Sequence, residues 1–197
     1  MQTLITKAVV RVVLPALFLV VLSAPVRAQV LAHSGEVAGT VGYSHTSYDK
    51  PNGPTANHPF YDGSGGYNVT PYITVLGEYK YYSLGTVGVS SNHAQNYGGA
   101  VHFNFRPSGK VVPYGVVGGG GYRFTSSGGG LSITGTGYYV NFGGGVSYYL
   151  GKNWGVRPEF RYERQAFTYD TLDISANVVD ASGSIFYQFG GTGKKKK

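Results

Sequence analysis

Residues 156–163 read Val-Arg-Pro-Glu-Phe-Arg-Tyr-Glu, and this stretch decides the fold. Charged and uncharged side chains alternate along it, with charges at Arg157, Glu159, Arg161 and Glu163. A period of two is typical of a β-strand whose two faces lie in different surroundings. The stretch therefore predicts a strand with one apolar face and one ionic face.

The same period of two recurs along the chain, and no stretch after residue 28 has a convincing helical period. Alternating segments lie at about 37–44, 73–82, 101–106, 114–124, 140–150, 156–163 and 184–189, with a less regular one near 60–70. Turn residues follow at 70–71, 106–110 and 150–153, and longer polar stretches lie at about 49–65, 86–96, 125–136 and 169–179. Eight strands with alternating short and long connections predict an all-β, antiparallel, up-and-down transmembrane β-barrel.

The composition excludes several classes of function. The chain has 197 residues with 32 glycines and no cysteine, which excludes disulfides, thiolate metal sites and cysteine catalysis. The net charge of +7 comes from the two ends of the chain, because residues 29–193 hold nine basic and nine acidic residues. A neutral body gives no argument for nucleic acid as a partner.

The first 28 residues have the layout of a secretory signal. Lys7 and Arg11 precede eleven apolar residues at 12–22, and Val26 and Ala28 precede the expected cleavage site. Eleven helical residues would cross only about half of a ~30 Å hydrocarbon layer, which disfavours a membrane anchor. We expect residues 1–28 to be a cleaved signal peptide, residues 29–190 to form the barrel and residues 191–197 to form a flexible lysine tail.

The two faces of the strands predict how the barrel meets its surroundings. Apolar residues such as Val116, Phe142 and Phe160 are expected on a lipid-facing surface, and charged residues in the lumen. Eight strands leave an interior just wide enough for side chains, and buried charges need partners. We therefore predict a plugged lumen with a compensated charge network of Glu78, Lys80, Arg106, Arg123, Arg157, Glu159, Arg161 and Glu163. A soluble β-sandwich, with its charges facing water, is the architectural alternative.

Aromatic residues fall near both ends of the expected strands. Those near the long connections are Tyr43, Tyr48, Tyr81, Tyr97, Tyr122, Phe124, Tyr138 and Phe167. Those near the short turns are Tyr72, Phe105, Tyr114, Tyr148, Trp154, Tyr187 and Phe189. Two aromatic belts are typical of a protein that crosses two membrane–water interfaces.

On these features the chain resembles the outer membrane protein A-like eight-stranded barrels and their small stand-alone relatives. The resemblance covers roughly 35–190 and is carried by PYGVVGGGGY at 113–122, FGGGVSYYLGKNW at 142–154 and RPEFRY at 157–162. The segment IFYQF at 185–189 is similar to the last strand that the barrel-assembly machinery reads. The resemblance implies the bacterial outer membrane as the location. It also implies outer-membrane lipid and lipopolysaccharide as neighbours and the assembly machinery as a partner during insertion.

We expect a protein without catalysis, cofactor or metal, with a structural role or surface contacts through loops at about 49–65 and 125–136. The five histidines form no pair at metal-ligand spacing. Two alternatives stay open. One is a narrow pore. The other is a lipid A-modifying hydrolase, for which His45 and Ser47 are the candidate pair, because an imidazole base beside a hydroxyl is the minimum for acyl transfer.

Overall fold

The structure is a computed structural model that describes residues 29–49, 55–87, 90–169 and 172–191. The expected signal peptide and all but the first residue of the expected lysine tail lie outside these residues. The strands are β1 (Ser34–Tyr48), β2 (Thr55–Asn68), β3 (Ile73–Val87), β4 (Ser90–Asn104), β5 (Val111–Gly128), β6 (Leu131–Tyr149), β7 (Trp154–Tyr169) and β8 (Leu172–Gly190). In the part of the chain that the structure describes, no helix is long and apolar enough to cross a membrane.

The sheet closes on itself. Every strand pairs antiparallel with its neighbour in the chain, and β1 also pairs with β8, from Ser34 opposite Gly190 to Tyr48 opposite Ala176. The eight-stranded up-and-down barrel is therefore confirmed. We call the end at which β1 begins and β8 ends, with the β2–β3, β4–β5 and β6–β7 turns, the turn end, and the opposite end the loop end.

The strands extend much further towards the loop end than the alternation indicates. β5 and β6 are joined by Gly129 and Gly130 alone, whose φ values of 59° and 82° suit a two-residue hairpin turn. The long loops predicted at 49–65 and 125–136 are therefore wrong, because β2 starts at Thr55 and residues 125–128 pair with 131–134. Serine, threonine and asparagine keep the strand ladder there while both faces meet water, so the apolar period disappears before the strand ends.

The outer surface is apolar over a band around the barrel. Val41, Phe142 and Phe160 on this band are 60%, 60% and 67% exposed, which is the arrangement that a lipid environment favours. Towards the loop end the band stops at a ring of tyrosines, namely Tyr43, Tyr61, Tyr81, Tyr97, Tyr138 and Tyr162. The next outward residues are polar, such as His45, Gln95 and Arg123. The strands beyond this ring form a polar rim.

β5 presents the opposite faces from those predicted. Tyr114 and Val116 point into the lumen and are each 2% exposed, whereas Val117 is 47% exposed. The pairing explains the reversal, because Val116 lies opposite the buried His102 of β4 and opposed residues share one face of a sheet. Hydropathy alone predicted the wrong lumen-facing side of β5. Its outward face is mostly glycine and valine, which lipid accepts, and the tyrosines on its inward face can hydrogen-bond within the lumen.

Two apolar clusters fill the ends of the lumen. The turn-end plug consists of Val30, Val112, Tyr149 and Phe186. The loop-end plug consists of Phe60, Tyr82, Ala94, Tyr122 and Phe167, with Tyr48, Leu84, Phe124 and Ile174 packed against it. The prediction of membrane belts is thus wrong for five aromatic residues. Four of them lie in or against the loop-end plug, namely Tyr48, Tyr122, Phe124 and Phe167. The fifth, Tyr114, points into the central lumen.

Candidate functional site in the barrel lumen

β7 supplies the central layer of the lumen. Its period of two directs Arg157, Glu159, Arg161 and Glu163 inwards, and each is less than a tenth exposed. Strands β1, β3 and β8 direct carboxylates and one lysine towards them across the lumen. Each charged group is therefore removed from water and must find its partners within the barrel.

Arg161 is the hub of the central layer. Its Nη1 and Nη2 donate to the two carboxylate oxygens of Glu78 on β3, both at 2.7 Å. Its Nε donates to Glu159 Oε1 at 2.6 Å. A bidentate guanidinium–carboxylate pair is strong and directional, so Arg161 ties β7 to β3 across the lumen.

Lys80 connects the central layer to the loop-end plug. Its Nζ lies 2.7 Å from Asp180 Oδ2 on β8 and 3.5 Å from Glu163 Oε2 on β7. The same ammonium group lies 4.9 Å from the centre of the Phe60 ring, a cation–π distance. One lysine thus forms ion pairs with two carboxylates and packs against the plug.

Arg157 makes the equivalent connection at the turn end. Its Nη2 donates to Glu36 Oε1 at 2.7 Å, and its Nε donates to Ser147 Oγ at 3.0 Å. The guanidinium carbon lies 4.6 Å from the centre of the Phe186 ring in the turn-end plug. Ion pairs and apolar plugs therefore form one continuous filling.

Tyr114 and His102 complete the central layer. The Tyr114 hydroxyl donates to Glu159 Oε2 at 2.6 Å, and the two rings stack with centroids 4.5 Å apart. The Nε2 of His102 lies 3.9 Å from Glu159 Oε2 and makes no hydrogen bond to any described residue. Only a small cavity of about 20 Å³ is left beside these groups, which is room for roughly one or two water molecules.

The structure brings together six of the eight residues predicted for the network, namely Glu78, Lys80, Arg157, Glu159, Arg161 and Glu163. The prediction is wrong for Arg106 and Arg123. Arg106 lies exposed in the β4–β5 turn, and Arg123 points outwards because β5 has the reversed faces described above.

Three lumen carboxylates were missed by sequence reasoning, namely Glu36, Asp62 and Asp180. The period of two could have found them. Glu36 is in phase with inward Ala38 on β1, and Asp180 is in phase with inward Phe186 on β8. Asp62 was hidden because β2 was the least regular of the predicted strands.

His45 and Ser47 share the outward face of β1 near the loop end. The Nδ1 of His45 lies 2.7 Å from Asn57 Oδ1 on β2. This hydrogen bond orients His45 towards β2. Ser47 lies two residues further along β1 and is half-buried. Within the described residues, no group of three or more histidines and carboxylates converges as a metal site.

Comparison with known proteins gives one family and several solved barrels. The model of the outer membrane protein beta-barrel domain matches residues 14–188. The crystal structure of Neisserial surface protein A superimposes with a TM-score of 0.69 at 18% identity, covering 79% of this chain and 97% of that chain. Ail of Yersinia pestis gives a TM-score of 0.50 at 16% identity, covering 78% and 99%. The N-terminal barrel domain of Pseudomonas aeruginosa OprF gives 0.50 at 16% identity, covering 80% and 99%. No curated protein matches the chain.

Proposed function

The chain belongs to the bacterial outer membrane β-barrel family, and from its filled lumen we propose that it is a closed, non-conducting barrel with a structural and surface-contact role. The apolar band would hold it in outer-membrane lipid, and the polar rim would present it to the outside. The family membership supplies the location, and the lumen supplies the argument against transport.

The filling of the lumen by side chains is the observation that supports the proposal. A conducting barrel needs a continuous path of water through its interior. Here two apolar plugs flank a layer of ion pairs, and the cavity between them is about 20 Å³. A hydrated ion would have to separate buried ion pairs and displace aromatic rings to pass.

The rim is the part of the barrel that we propose for surface contact. It replaces the long loops expected from the sequence. β6 extends beyond its last pair with β7, Thr136 opposite Thr168, and carries Leu131 and Ile133 with 76% and 48% of their surface exposed. Hydroxyl groups and a few apolar side chains favour contacts made by hydrogen bonding and shape more than by charge.

Planar-bilayer recording tests the closed lumen. We expect the purified, refolded barrel to give no unitary steps under conditions in which a general porin conducts. Lys80→Gln weakens the central layer, whereas Arg123→Gln changes an outward residue and is the matched control. The narrow pore would be established instead if the wild type gave conductance steps that Lys80→Gln alters and Arg123→Gln leaves unchanged.

Lipid A analysis tests the proposed lack of catalysis. We expect the mass spectrum of lipid A to stay the same when the protein is overproduced. If lipid A lost an acyl chain on overproduction and Ser47→Ala prevented that loss, the protein would be a lipid A-modifying hydrolase instead.

A further inference from the structure

The charges that face the lumen do not balance. Among the described residues, its carboxylates are Glu36, Asp62, Glu78, Glu159, Glu163 and Asp180, and its permanent cations are Lys80, Arg157 and Arg161. Burying unpaired negative charge is costly because the lumen replaces water by protein. A closed barrel with this excess therefore needs additional positive charge inside it.

Asp62 is the lumen carboxylate that has no ion pair among the described residues. The other five each lie within 4 Å of a lysine or arginine nitrogen. Thr40 of β1 lies opposite Asp62 in the strand pairing. The Thr40 hydroxyl in turn lies 2.9 Å from the Ser184 hydroxyl of β8.

Asp62 lines the central cavity, and four of the side chains that line it with Asp62 carry hydroxyl oxygens. Thr40, Ser64, Ser182 and Ser184 line the same cavity, which has a volume of about 20 Å³. Oxygen atoms are the ligands that hard cations such as alkali ions prefer.

A second observation at the cavity is independent of the acidic residues. His102 also lines it, is 2% exposed, and has an Nε2 atom without a hydrogen-bond partner in the part of the chain that the structure describes. Buried polar atoms are nearly always hydrogen-bonded, so an orphaned nitrogen beside a cavity indicates a guest there.

The charged groups described around Asp62 make no direct ion pair with it. β3 contributes Glu78 and Lys80, and β4 contributes His102. β7 contributes Arg157, Glu159 and Arg161, and β8 contributes Asp180. Lys80, Arg157 and Arg161 are each already committed to carboxylates at 2.6–2.7 Å. None of the three cations can turn to Asp62 without leaving another buried carboxylate unpaired.

We propose that the lumen holds one exchangeable positive charge at Asp62, supplied either by an alkali cation in the central cavity or by a solvent proton on the Asp62 carboxylate. A divalent metal ion lacks its ligands, since no cluster of three histidines and carboxylates converges among the described residues. The site concerns the stability of the barrel and is independent of whether the barrel conducts.

Thermal unfolding of the detergent-solubilised barrel tests the site. Samples are heated to a series of temperatures and run on a gel without further boiling, and the fraction of folded band gives the unfolding midpoint. At pH 8 and constant ionic strength, we expect a lower midpoint in N-methylglucamine chloride than in sodium or potassium chloride if an alkali ion is the guest. If a proton is the guest, the midpoint in N-methylglucamine rises when the pH is lowered from 8 to 6. Asp62→Asn should raise the midpoint in N-methylglucamine at pH 8 and remove the dependence.

Asp173→Asn is the matched control, because it makes the same change at an exposed carboxylate on the rim and should keep the wild-type dependence. The proposal fails if the wild-type midpoint is the same in all three salts and at both pH values. It also fails if Asp62→Asn lowers the midpoint equally in every medium, since Asp62 is then only a structural acceptor. The comparison of media on the wild type decides the matter even if Asp62→Asn does not fold.

Discussion

At the scale of single residues, Tyr114 shows how the lumen of a small barrel uses amphipathic side chains. Its hydroxyl donates to Glu159, one ring face stacks on His102, and the Arg157 guanidinium lies 5.5 Å from the ring centre. The ring therefore makes polar contacts at its edge and at its face. A tyrosine satisfied in this way belongs in an ionic lumen as readily as at a membrane interface.

Arg161→Met is the residue-scale test of the network. It removes three charge-assisted hydrogen bonds and leaves Glu78 and Glu159 facing each other without a cation. We expect a loss of about 3–5 kcal/mol in the free energy of unfolding, the usual result when one partner of a buried ion pair is removed.

The measurement is urea unfolding in micelles. Arg123→Met is the control, since Arg123 points away from the lumen and its change should leave the midpoint near the wild-type value. Equal losses in the two variants would show that the lumen contacts of Arg161 contribute little to stability.

At the scale of the strands, glycine sets how closely neighbouring chains and rings approach. Gly65, Gly77, Gly99 and Gly119 face outwards and pair in one continuous row across β2 to β5. One row further along, the Tyr97 ring covers Gly121, with a ring carbon 2.5 Å from the place where a Cβ would stand. Such covering by an aromatic ring offsets the poor strand propensity of glycine.

Gly120→Ala tests whether close approach of β4 to β5 requires glycine at position 120. The added Cβ would collide with the Tyr97 carbonyl oxygen and lie 2.6 Å from the Gly98 Cα, so the β4 backbone would have to move. Overpacking of this kind costs about 1–3 kcal/mol in the free energy of unfolding.

Gly39→Ala on β1 is the matched change, because no atom lies within 4 Å of its added Cβ. We expect Gly39→Ala to be neutral or slightly stabilising in the same urea titration. If the two variants behave alike, close backbone packing does not explain the glycine at position 120.

At the scale of the whole molecule, contacts between distant parts of the chain close the barrel at both ends. At the turn end, Val30 N donates to Pro107 O at 2.9 Å and the Val30 side chain joins the turn-end plug. On the rim, Asp49 follows β1 and forms an ion pair with Arg164 of β7 across β8. Asn177 of β8 bonds to both of them, which fastens the seam where the first and last strands meet.

The rim contact at this seam predicts a pH response. The hydrogen bond from Arg164, followed by its charge, holds the pKa of Asp49 below the ordinary value of 3.8. A lowered pKa in the folded barrel means that the contact is present above the pKa of the unfolded chain and is lost as the pH falls through the folded value.

Carbon-13 NMR of the aspartate carboxyl groups in micelles measures that titration. We expect Asp49 to titrate below 3.8 in the wild type and at a higher pH in Arg164→Gln. An unchanged Asp49 titration in Arg164→Gln would contradict the contact.

The period of two by itself determined the fold and much of the lumen. Arg157, Glu159, Arg161 and Glu163 must share one face of β7 in any regular strand, and an eight-stranded barrel has space for charges only in its interior or beyond the membrane. The outward positions of Phe142 and Phe160 followed from the same argument.

Only the tertiary structure decided which face of β5 turns inwards, how far the strands extend and where the lumen charge is unbalanced. The faces of β5 depend on its partners, because Val116 must share a side with His102. The rim pairs by backbone hydrogen bonds that carry no hydropathy signal. Asp62 has no direct ion pair among the described residues because Lys80, Arg157 and Arg161 pair with other carboxylates. Only the side-chain distances across the lumen show which carboxylate each cation contacts.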